Sequence, residues 1–308
     1  NPVTFEKEIN SDGTAMLDEE FTETIMVRLA ERCPDFSFET TNVIKRNDEK
    51  LIGIIGRTSH ALCPTVYVEP FYQNYRQGMS ADEVIDRMAE IFWQEHLSVK
   101  SELSIRNNME DFEKIKDRLI IVLSSLDMNE QWLKDKCYKP FLNLAATVGI
   151  LVDVDETSNS IIHVQEKMLD MWNVTFEYIF EVAKENSFIE SNILFKDIYD
   201  VLTLHGISLD ADASLLYVAT NRHNFMGANL LMNNSFLYEI AEKLQDSFYI
   251  IPSSVHELLV LPACQVQDVE GLNLLIQNIN DTEVILADRL SYTLYYYDCT
   301  THKVTIAY

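Results

Sequence analysis

The stretch DSFYIIPSSVHELLVLP, residues 246–262, places two apolar runs on either side of a short polar connection. Both runs are short, and their Phe, Tyr, Ile and Val side chains favour strands. Between them, Pro252 fixes its own φ angle, and the hydroxyls of Ser253 and Ser254 can bond to neighbouring amides, which is typical of a turn. The stretch therefore predicts two core strands joined by a tight connection, with His256 at the start of the second strand.

The rest of the C-terminal region alternates between strand and helix patterns. SLLYVATN (214–221) reads as a strand, SFLYEIAEKLQ (235–245) and VEGLNLLIQNIN (269–280) have helical apolar spacing, and YTLYYYDCTTHKVTIAY (292–308) predicts a closing hairpin. In the helix at 269–280 we expect the inward-facing residues to be Leu272, Leu275, Ile276 and Ile279. Such an order indicates a mixed or antiparallel sheet covered on one face by helices.

The first hundred residues predict a smaller unit of helices and strands. Residues 15–32 carry apolar side chains at helical spacing, and residues 36–58 read as a hairpin with Asn47 and Asp48 in its turn. The segment SADEVIDRMAEIFWQEH begins with Ser80 and Glu83 in the spacing of a capping box, ahead of an apolar stripe.

The middle of the chain contains the most continuous apolar strand, LIIVLSS at 119–125. We expect residues 138–155 to form a short helix entering a strand, DETSNS (155–160) to form a turn, and residues 174–187 to form a helix capped by Thr175. The fold class predicted is α+β, with mixed or mostly antiparallel sheets capped by helices. We expect two closely docked units, 1–110 and 111–308.

The charge of the chain constrains its partners. With 49 acidic and 24 basic residues, the formal net charge is −25, which repels phosphate backbones and anionic membranes. We therefore expect no direct nucleic-acid binding and no membrane binding. An acidic surface is suited to a basic protein partner, with imitation of DNA as the extreme case, and it is also what an ordinary acidic cytoplasmic protein presents.

The cysteines and the apolar pattern indicate a cytoplasmic location. The five cysteines are an odd number, scattered, with no CxxC pair, as is usual in a reducing compartment. No window is apolar enough to span a bilayer, and the first residues, NPVTFEKEINSDG, lack the basic and apolar regions of a signal peptide.

The polar connection at 252–257 raises the question of hydrolase chemistry. A nucleophilic serine needs a base about 3 Å from its hydroxyl, an orienting acid and oxyanion donors. The candidates are Ser253 or Ser254 with His256, or with His223 brought in by folding. The sequence lacks the G-x-S-x-G elbow, and the same residues are good turn formers, so both interpretations stay open.

The segment YVATNRHNFMGANLLMN, 217–233, follows a strand and precedes a helix, where α/β proteins often gather ligands. Gly227 allows close approach of the backbone. No nucleotide-binding glycine motif is present, so we predict no cofactor, and a structural loop is the alternative. A small-molecule or peptide site, if the chain has one, is expected between this loop and the Ser253–His256 turn. The candidate ligand-loop residues are Asn221, Arg222, Asn224, Gly227 and Asn229.

Two segments resemble metal sites only in part. DVDETSNS at 153–160 has the acids of a calcium loop, but Ser158 and Val164 stand where an EF-hand needs Gly and Glu. His60 and Cys63 are closely spaced, yet no second ligand pair lies nearby in the sequence. We therefore predict a polar hairpin at 153–160 and an ordinary loop around His60 and Cys63, and we expect neither segment to bind a metal.

The order of several long blocks resembles a known family. The blocks are YVEPFYQNYRQGMSADEVIDRMAEIF, KPFLNLAATVGILVDVDETSNSIIHVQEKMLDMWNVTFEYIFEVAKENS, NFMGANLLMNNSFLYEIAEKLQDSFYIIPSSVHELLVLP and LSYTLYYYD. They are similar to uncharacterised proteins of gut Firmicutes and Clostridia that share a domain of unknown function. The resemblance runs from about residue 5 to residue 300. It implies a cytoplasmic bacterial protein and brings no activity, cofactor or catalytic residue with it.

Two hypotheses of function follow. The first is a non-enzymatic cytoplasmic interaction protein that presents an acidic surface or a C-terminal groove to a protein partner. An exposed apolar patch rimmed by acids would support it. The second is a hydrolase-like enzyme that uses Ser253 or Ser254 with a histidine at a C-terminal pocket. The oligomeric state is left open, although Tyr295, Tyr296 and Tyr297 are suited to a core on one side and an interface on the other.

Overall fold

The computed structural model describes residues 19–58, 65–100, 108–154, 159–198, 216–252 and 254–308. The contacts divide the chain into two units. The first consists of Asn1–Lys45 and Glu49–Asn107, and the second of Arg46–Asp48 and Asn108–Tyr308. The two closely docked domains expected from the sequence, 1–110 and 111–308, stay a prediction.

Helices and strands are interspersed along the described residues. The helices are α1 (Glu19–Arg32), α2 (Glu69–Arg76), α3 (Ala81–Lys100), α4 (Phe112–Ile115), α5 (Glu166–Trp172), α6 (Phe176–Ser187), α7 (Asn234–Leu244) and α8 (Val269–Thr282). The strands are β1 (Ser37–Ile44), β2 (Lys50–Arg57), β3 (Thr65–Tyr67), β4 (Leu119–Ser125), β5 (Lys139–Phe141), β6 (Leu144–Val154), β7 (Asn159–His163), β8 (Ile193–Asp197), β9 (Tyr217–Asn221), β10 (Phe248–Ile251), β11 (Leu258–Pro262), β12 (Tyr295–Asp298) and β13 (Lys303–Ile306). The strand pairs described are all antiparallel, so the predicted α+β class is confirmed.

The first unit is a three-stranded sheet, in the order β1-β2-β3, with the helices α1, α2 and α3. The predicted capping box is present: the Glu83 carboxylate accepts from the Ser80 amide at 3.0 Å, and the Ser80 hydroxyl accepts from the Glu83 amide at 3.3 Å. Satisfying these free amides stabilises the start of α3. The predicted turn between β1 and β2 is also present, since Asn47 and Asp48, which are assigned to the second unit, both have positive φ angles. The buried core of the unit includes Phe21, Ile25, Leu29, Val84, Met88 and Phe92.

The second unit contains two sheets. One has the order β4-β6-β5, with β7 also paired to β6; the other has the order β13-β12-β10-β11-β9-β8. Every residue of β4 is buried, as its continuous apolar sequence predicts, because α6 and a 3₁₀ helix at Gly227–Met232 both pack against it. Thr175 caps α6 as predicted, with its hydroxyl 3.2 Å from the Tyr178 amide.

Three local expectations are wrong. His256 was expected at the start of the second strand, whereas β11 begins at Leu258 and His256 lies in the connection before it. The short helix expected near residue 138 is the strand β5, which forms a hairpin with β6 through a turn where Leu142 has a φ of 54°. In α8, Leu275 is 52 % exposed, whereas Ile276 is buried. The inward face of α8 instead includes the buried amides of Asn273 and Asn280, and a count of apolar residues alone does not reveal polar side chains at core positions.

The register of the six-stranded sheet brings the two suspected loops to one edge. β11 pairs with β10 on one side and with β9 on the other, with Leu259 opposite both Ile251 and Val218. Because both pairings are antiparallel, the end of β9, the end of β10 and the start of β11 lie at the same edge of the sheet. The loop after Asn221 and the connection 252–257 therefore meet.

Candidate functional site

The loop after β9 and the connection between β10 and β11 are bonded directly to each other. The carbonyl of His256 accepts from the Gly227 amide at 3.0 Å and from the Thr220 hydroxyl at 2.7 Å. The Ala228 amide donates to the carbonyl of Val255 at 3.1 Å. A Cβ on Gly227 would lie 2.5 Å from the His256 oxygen, so the glycine is required by the close approach of two backbones.

The imidazole of His256 is held on both nitrogens. Its Nδ1 accepts from the Met226 amide at 3.2 Å, and its Nε2 lies 3.2 Å from Oδ1 of Asp288. Since Nδ1 acts as an acceptor, Nε2 carries the ring proton and donates a hydrogen bond to the Asp288 carboxylate. The ring of Phe225 stacks on the imidazole with 5.2 Å between centroids. This arrangement fixes the orientation of His256 and occupies both of its nitrogens.

The hydroxyl of Ser254 is used locally. It accepts from the His256 backbone amide at 3.0 Å and bonds to the carboxyl group of Glu257. Ser253 lies outside the described residues. His223 is exposed, and its amide donates to the Asn221 side chain at 3.0 Å. The described hydrogen bonds give a serine–imidazole pair no support at Ser254, and the hydrolase assignment stays a prediction.

Three charged groups lie at this junction: Glu257 within the connection, and Arg46 and Asp288, which the sequence did not single out. Arg46 is buried, donates to the carbonyl of Ala287, and has its pKa lowered to about 10 by burial. The hydrogen bond from His256 is the main reason that the pKa of Asp288 is lowered. Burial raises the pKa of Glu257, against the opposing effects of His256 and Ser254. No local motif links Arg46 and Asp288 to this connection, because they reach it only through the fold.

The predicted ligand loop also lines a cavity of about 180 Å³. Asn221, His223 and Asn229 contribute to its wall, whereas Arg222, Asn224 and Gly227 are not among the lining residues. Arg222 and Asn224 instead form backbone bonds within the loop region, to the carbonyls of Asn192 and Asn221. The other walls come from Asp117, from β4 and β6, and from the end of α6 with the following residues Ile189 and Asn192, which the sequence does not connect with this loop.

A larger, open groove of about 610 Å³ lies where the end of α6, β8 and the start of α7 meet. We call it the acidic groove. Its apolar lining residues are Phe188, Ile193, Met232 and Phe236. Its acidic lining residues are Glu181, Glu185, Glu190 and Glu239, with Lys184 as the basic member. The sequence signal available for it is the spacing of Glu181 and Glu185, four residues apart on one helix.

The two segments suspected of metal binding lie partly or wholly outside the described residues. β6 and β7 form an antiparallel pair with Val154 opposite Asn159, so a hairpin brackets residues 155–158, which lie outside the described residues. His60 and Cys63 also lie outside them. Within the described ranges, no group of three or more His, Cys, Asp or Glu side chains is placed to hold a metal ion.

In the same ranges, each helix is too short or too polar to cross a bilayer.

The fold and these sites define an α+β protein with antiparallel sheets, a tightly bonded histidine junction, a small polar cavity and an acidic groove. Residues 18–299 match the model of DUF5688, a family of unknown function, and the chain belongs to that family. Comparison with curated proteins and with solved structures finds no match.

Proposed function

We propose that this protein is a non-enzymatic interaction protein that binds a basic, amphipathic segment of a protein partner in the acidic groove. The observation that carries the proposal is the composition of the groove, in which apolar side chains are bordered by glutamates. Exposed apolar surface with a polar rim is typical of protein-binding sites.

The apolar part of the groove offers contact area for a partner's apolar side chains. Phe188, Ile193 and Met232 are partly exposed, and Phe236 is buried. Three of these four side chains therefore keep surface that a partner can remove from water. Burial of apolar area contributes roughly 25 cal/mol per Å² before the entropy of association is subtracted.

The rim selects for positive charge. The Glu181 carboxylate lies 3.7 Å from the ammonium groups of both Lys139 and Lys184, so its negative charge is partly compensated. Glu185, Glu190 and Glu239 are exposed and form no ion pair with the part of the chain that the structure describes. A partner segment with Lys or Arg beside its apolar residues would supply the missing charges, and the net charge of −25 would steer it toward the protein.

We further propose that the protein acts in the cytoplasm of a gut bacterium of the Firmicutes. The supporting observation is that Cys33, Cys137, Cys264 and Cys299 are free thiols, as expected in a reducing compartment. Fractionation of such a bacterium, followed by immunoblotting, tests this location. Recovery in the membrane or culture-medium fraction would contradict it.

The binding proposal is tested with designed peptides of about 14 residues, long enough for an amphipathic helix. The probe has Lys on one face and Leu on the other; its control has Glu in place of Lys. We expect the Lys peptide to bind, with an affinity that falls as salt rises, and the Glu peptide to bind at least tenfold more weakly. The changes in backbone amide NMR chemical shifts on peptide binding should be concentrated at residues 185–193 and 232–239.

Matched double variants locate the site. Glu185→Gln with Glu239→Gln should weaken binding of the Lys peptide about tenfold by removing two rim charges. Glu110→Gln with Glu130→Gln removes two exposed charges outside the groove and should leave the affinity within about twofold. Equal losses in both double variants, or NMR shifts spread over the whole surface, would overturn the proposal and leave only non-specific attraction.

A further inference from the structure

We propose that the 180 Å³ cavity beside the predicted ligand loop is a binding site for a small organic cation, a primary amine or guanidinium with a short apolar stem. The site is separate in function from the acidic groove and does not depend on a protein partner. It rests on the chemistry that the lining residues leave free.

The amide side chains of the cavity present oxygen atoms. Asn229 is 3 % exposed, and its Nδ2 donates to the carbonyl of Ile121 at 2.9 Å. Asn186 uses its Nδ2 on the carbonyls of Lys116 and Leu119, both at 2.9 Å. Because each NH₂ group is bound to main-chain oxygens, the remaining polar atom of each side chain is the acceptor Oδ1. No hydrogen bond to either Oδ1 occurs among the described residues.

The other polar groups show which ligand these acceptors suit. The hydroxyl of Ser187 accepts from the Ile121 amide and donates to the Ala183 carbonyl, so it is already used. The Asn221 side chain is likewise bonded within its own loop, to Phe225 and His223. The bonded amides of Asn186 and Asn229 therefore leave two acceptors, and acceptors need a ligand that donates hydrogen bonds. Asn192 and the exposed His223 also line the cavity, and each offers a further acceptor beside a donor.

The charge of the ligand follows from Asp117. This exposed carboxylate lines the cavity and forms no ion pair within the residues that the structure describes. It is the single carboxylate among the lining residues, and no Lys or Arg is among them. One carboxylate with amide oxygens matches a monovalent cation, whereas a divalent metal site is normally built with more carboxylate charge.

The size and apolar walls define the rest of the ligand. Ile120, Leu151 and Phe225 line the same cavity, so a short hydrocarbon stem would be removed from water there. The volume is below the 300–1,000 Å³ that is usual for drug-sized ligands. A ligand with only a few carbon atoms is therefore expected.

The test is calorimetric titration of the full chain with methylguanidine, isoamylamine and agmatine, and with isoamyl alcohol as the neutral isostere of isoamylamine. We expect at least one cation to bind saturably with a stoichiometry of one, and the alcohol to bind at least tenfold more weakly. Asp117→Asn should weaken binding of the cation about tenfold. Asn229→Leu should weaken it by a similar factor, provided that thermal melting shows this variant to be folded.

Two controls separate this site from general attraction to an acidic protein. Glu110→Gln makes the same charge change as Asp117→Asn outside the cavity and should leave the affinity within about twofold. Glu185→Gln with Glu239→Gln, in the acidic groove, should also leave it unchanged. The proposal is overturned if no cation binds saturably, if the alcohol binds equally well, or if Asp117→Asn has no larger effect than these controls.

Discussion

The Nε2 atom of His256 lies 3.2 Å from the Oδ1 atom of Asp288, joining the β10–β11 connection to the 3₁₀ turn Leu286–Asp288. The amide of Val255 also donates to the carbonyl of Asp288 at 2.9 Å. Backbone and side chain thus hold the same two segments together. The consequence is a rigid junction whose titrating groups influence the stability of the second unit.

Asp288→Asn should lower the free energy of unfolding by about 1 kcal/mol at pH 7. This figure allows for solvent screening of a side chain that is 35 % exposed. The pKa of Asp288 is lowered in the folded state, so its contribution is present above the unfolded pKa of about 3.9 and is lost as pH falls through the folded pKa. Urea unfolding at pH 7 and below pH 4 measures both effects. Asp127→Asn, an exposed control, should change the free energy of unfolding little. If Asp288→Asn lowered the stability equally at both pH values, the pH-dependent contribution assigned to Asp288 would be contradicted.

Glu257→Gln should stabilise the protein at neutral pH. Burial raises the pKa of Glu257, so its favourable contribution is complete below the unfolded pKa of about 4.3 and is lost as pH rises through the folded pKa. Glutamine keeps an acceptor for the Ser254 hydroxyl and cannot ionise. We expect a gain on the order of 1 kcal/mol at pH 7 that disappears near pH 4. Denaturant unfolding checks it against Glu130→Gln, and a loss of stability at pH 7 would show that the charge is needed.

Gly227→Ala should destabilise the second unit by about 2 kcal/mol through overpacking. The added Cβ would meet the His256 oxygen and the Thr220 hydroxyl, both at 2.5 Å. Because the loop must move to relieve these contacts, the bond from the Gly227 amide to His256 should weaken. Thermal unfolding measures the stability, and hydrogen exchange at the Gly227 amide should become faster. A variant with unchanged stability and exchange would mean that the two backbones can separate freely.

A serine-directed fluorophosphonate probe should not label the protein. The hydroxyl of Ser254 is bonded to the His256 amide and to the Glu257 carboxyl group, and an unactivated serine reacts poorly with such probes. Labelling is read by mass spectrometry on the intact chain. Stoichiometric labelling of the native protein that disappears in the Ser253→Ala, Ser254→Ala double variant would contradict this expectation and support the hydrolase hypothesis.

Much of the fold could be predicted from local patterns. The capping box at Ser80, the hairpin turn at Asn47 and the strand at 119–125 all form as expected. In each case the structure is decided by neighbours within a few residues, such as an amide that needs a partner or a run of side chains that must be buried. The Gly227 loop and the His256 connection, between which a ligand site was expected, are bonded to each other, and the site itself stays a prediction.

Other features could not be predicted because they depend on distant partners. Residues 138–141 have no local pattern that excludes a helix, and pairing with β6 makes them a strand. Leu275 fits the helical stripe of α8 yet is exposed, since the inward positions are taken by Asn273 and Asn280. Propensity is a weak prior that tertiary contacts override.

The sequence by itself determined the α+β class, the hairpin turn at Asn47, the helix caps and the acidic charge, because these follow from backbone preferences and composition. Only the tertiary structure decided what the polar residues do. It brought Asp288 to His256 and used the Ser254 hydroxyl on neighbouring groups. It also directed the NH₂ group of Asn229 to the carbonyl of Ile121. The physical reason is that a hydrogen bond forms only between groups within about 3 Å, and distances between residues far apart in the chain are set by strand register and packing.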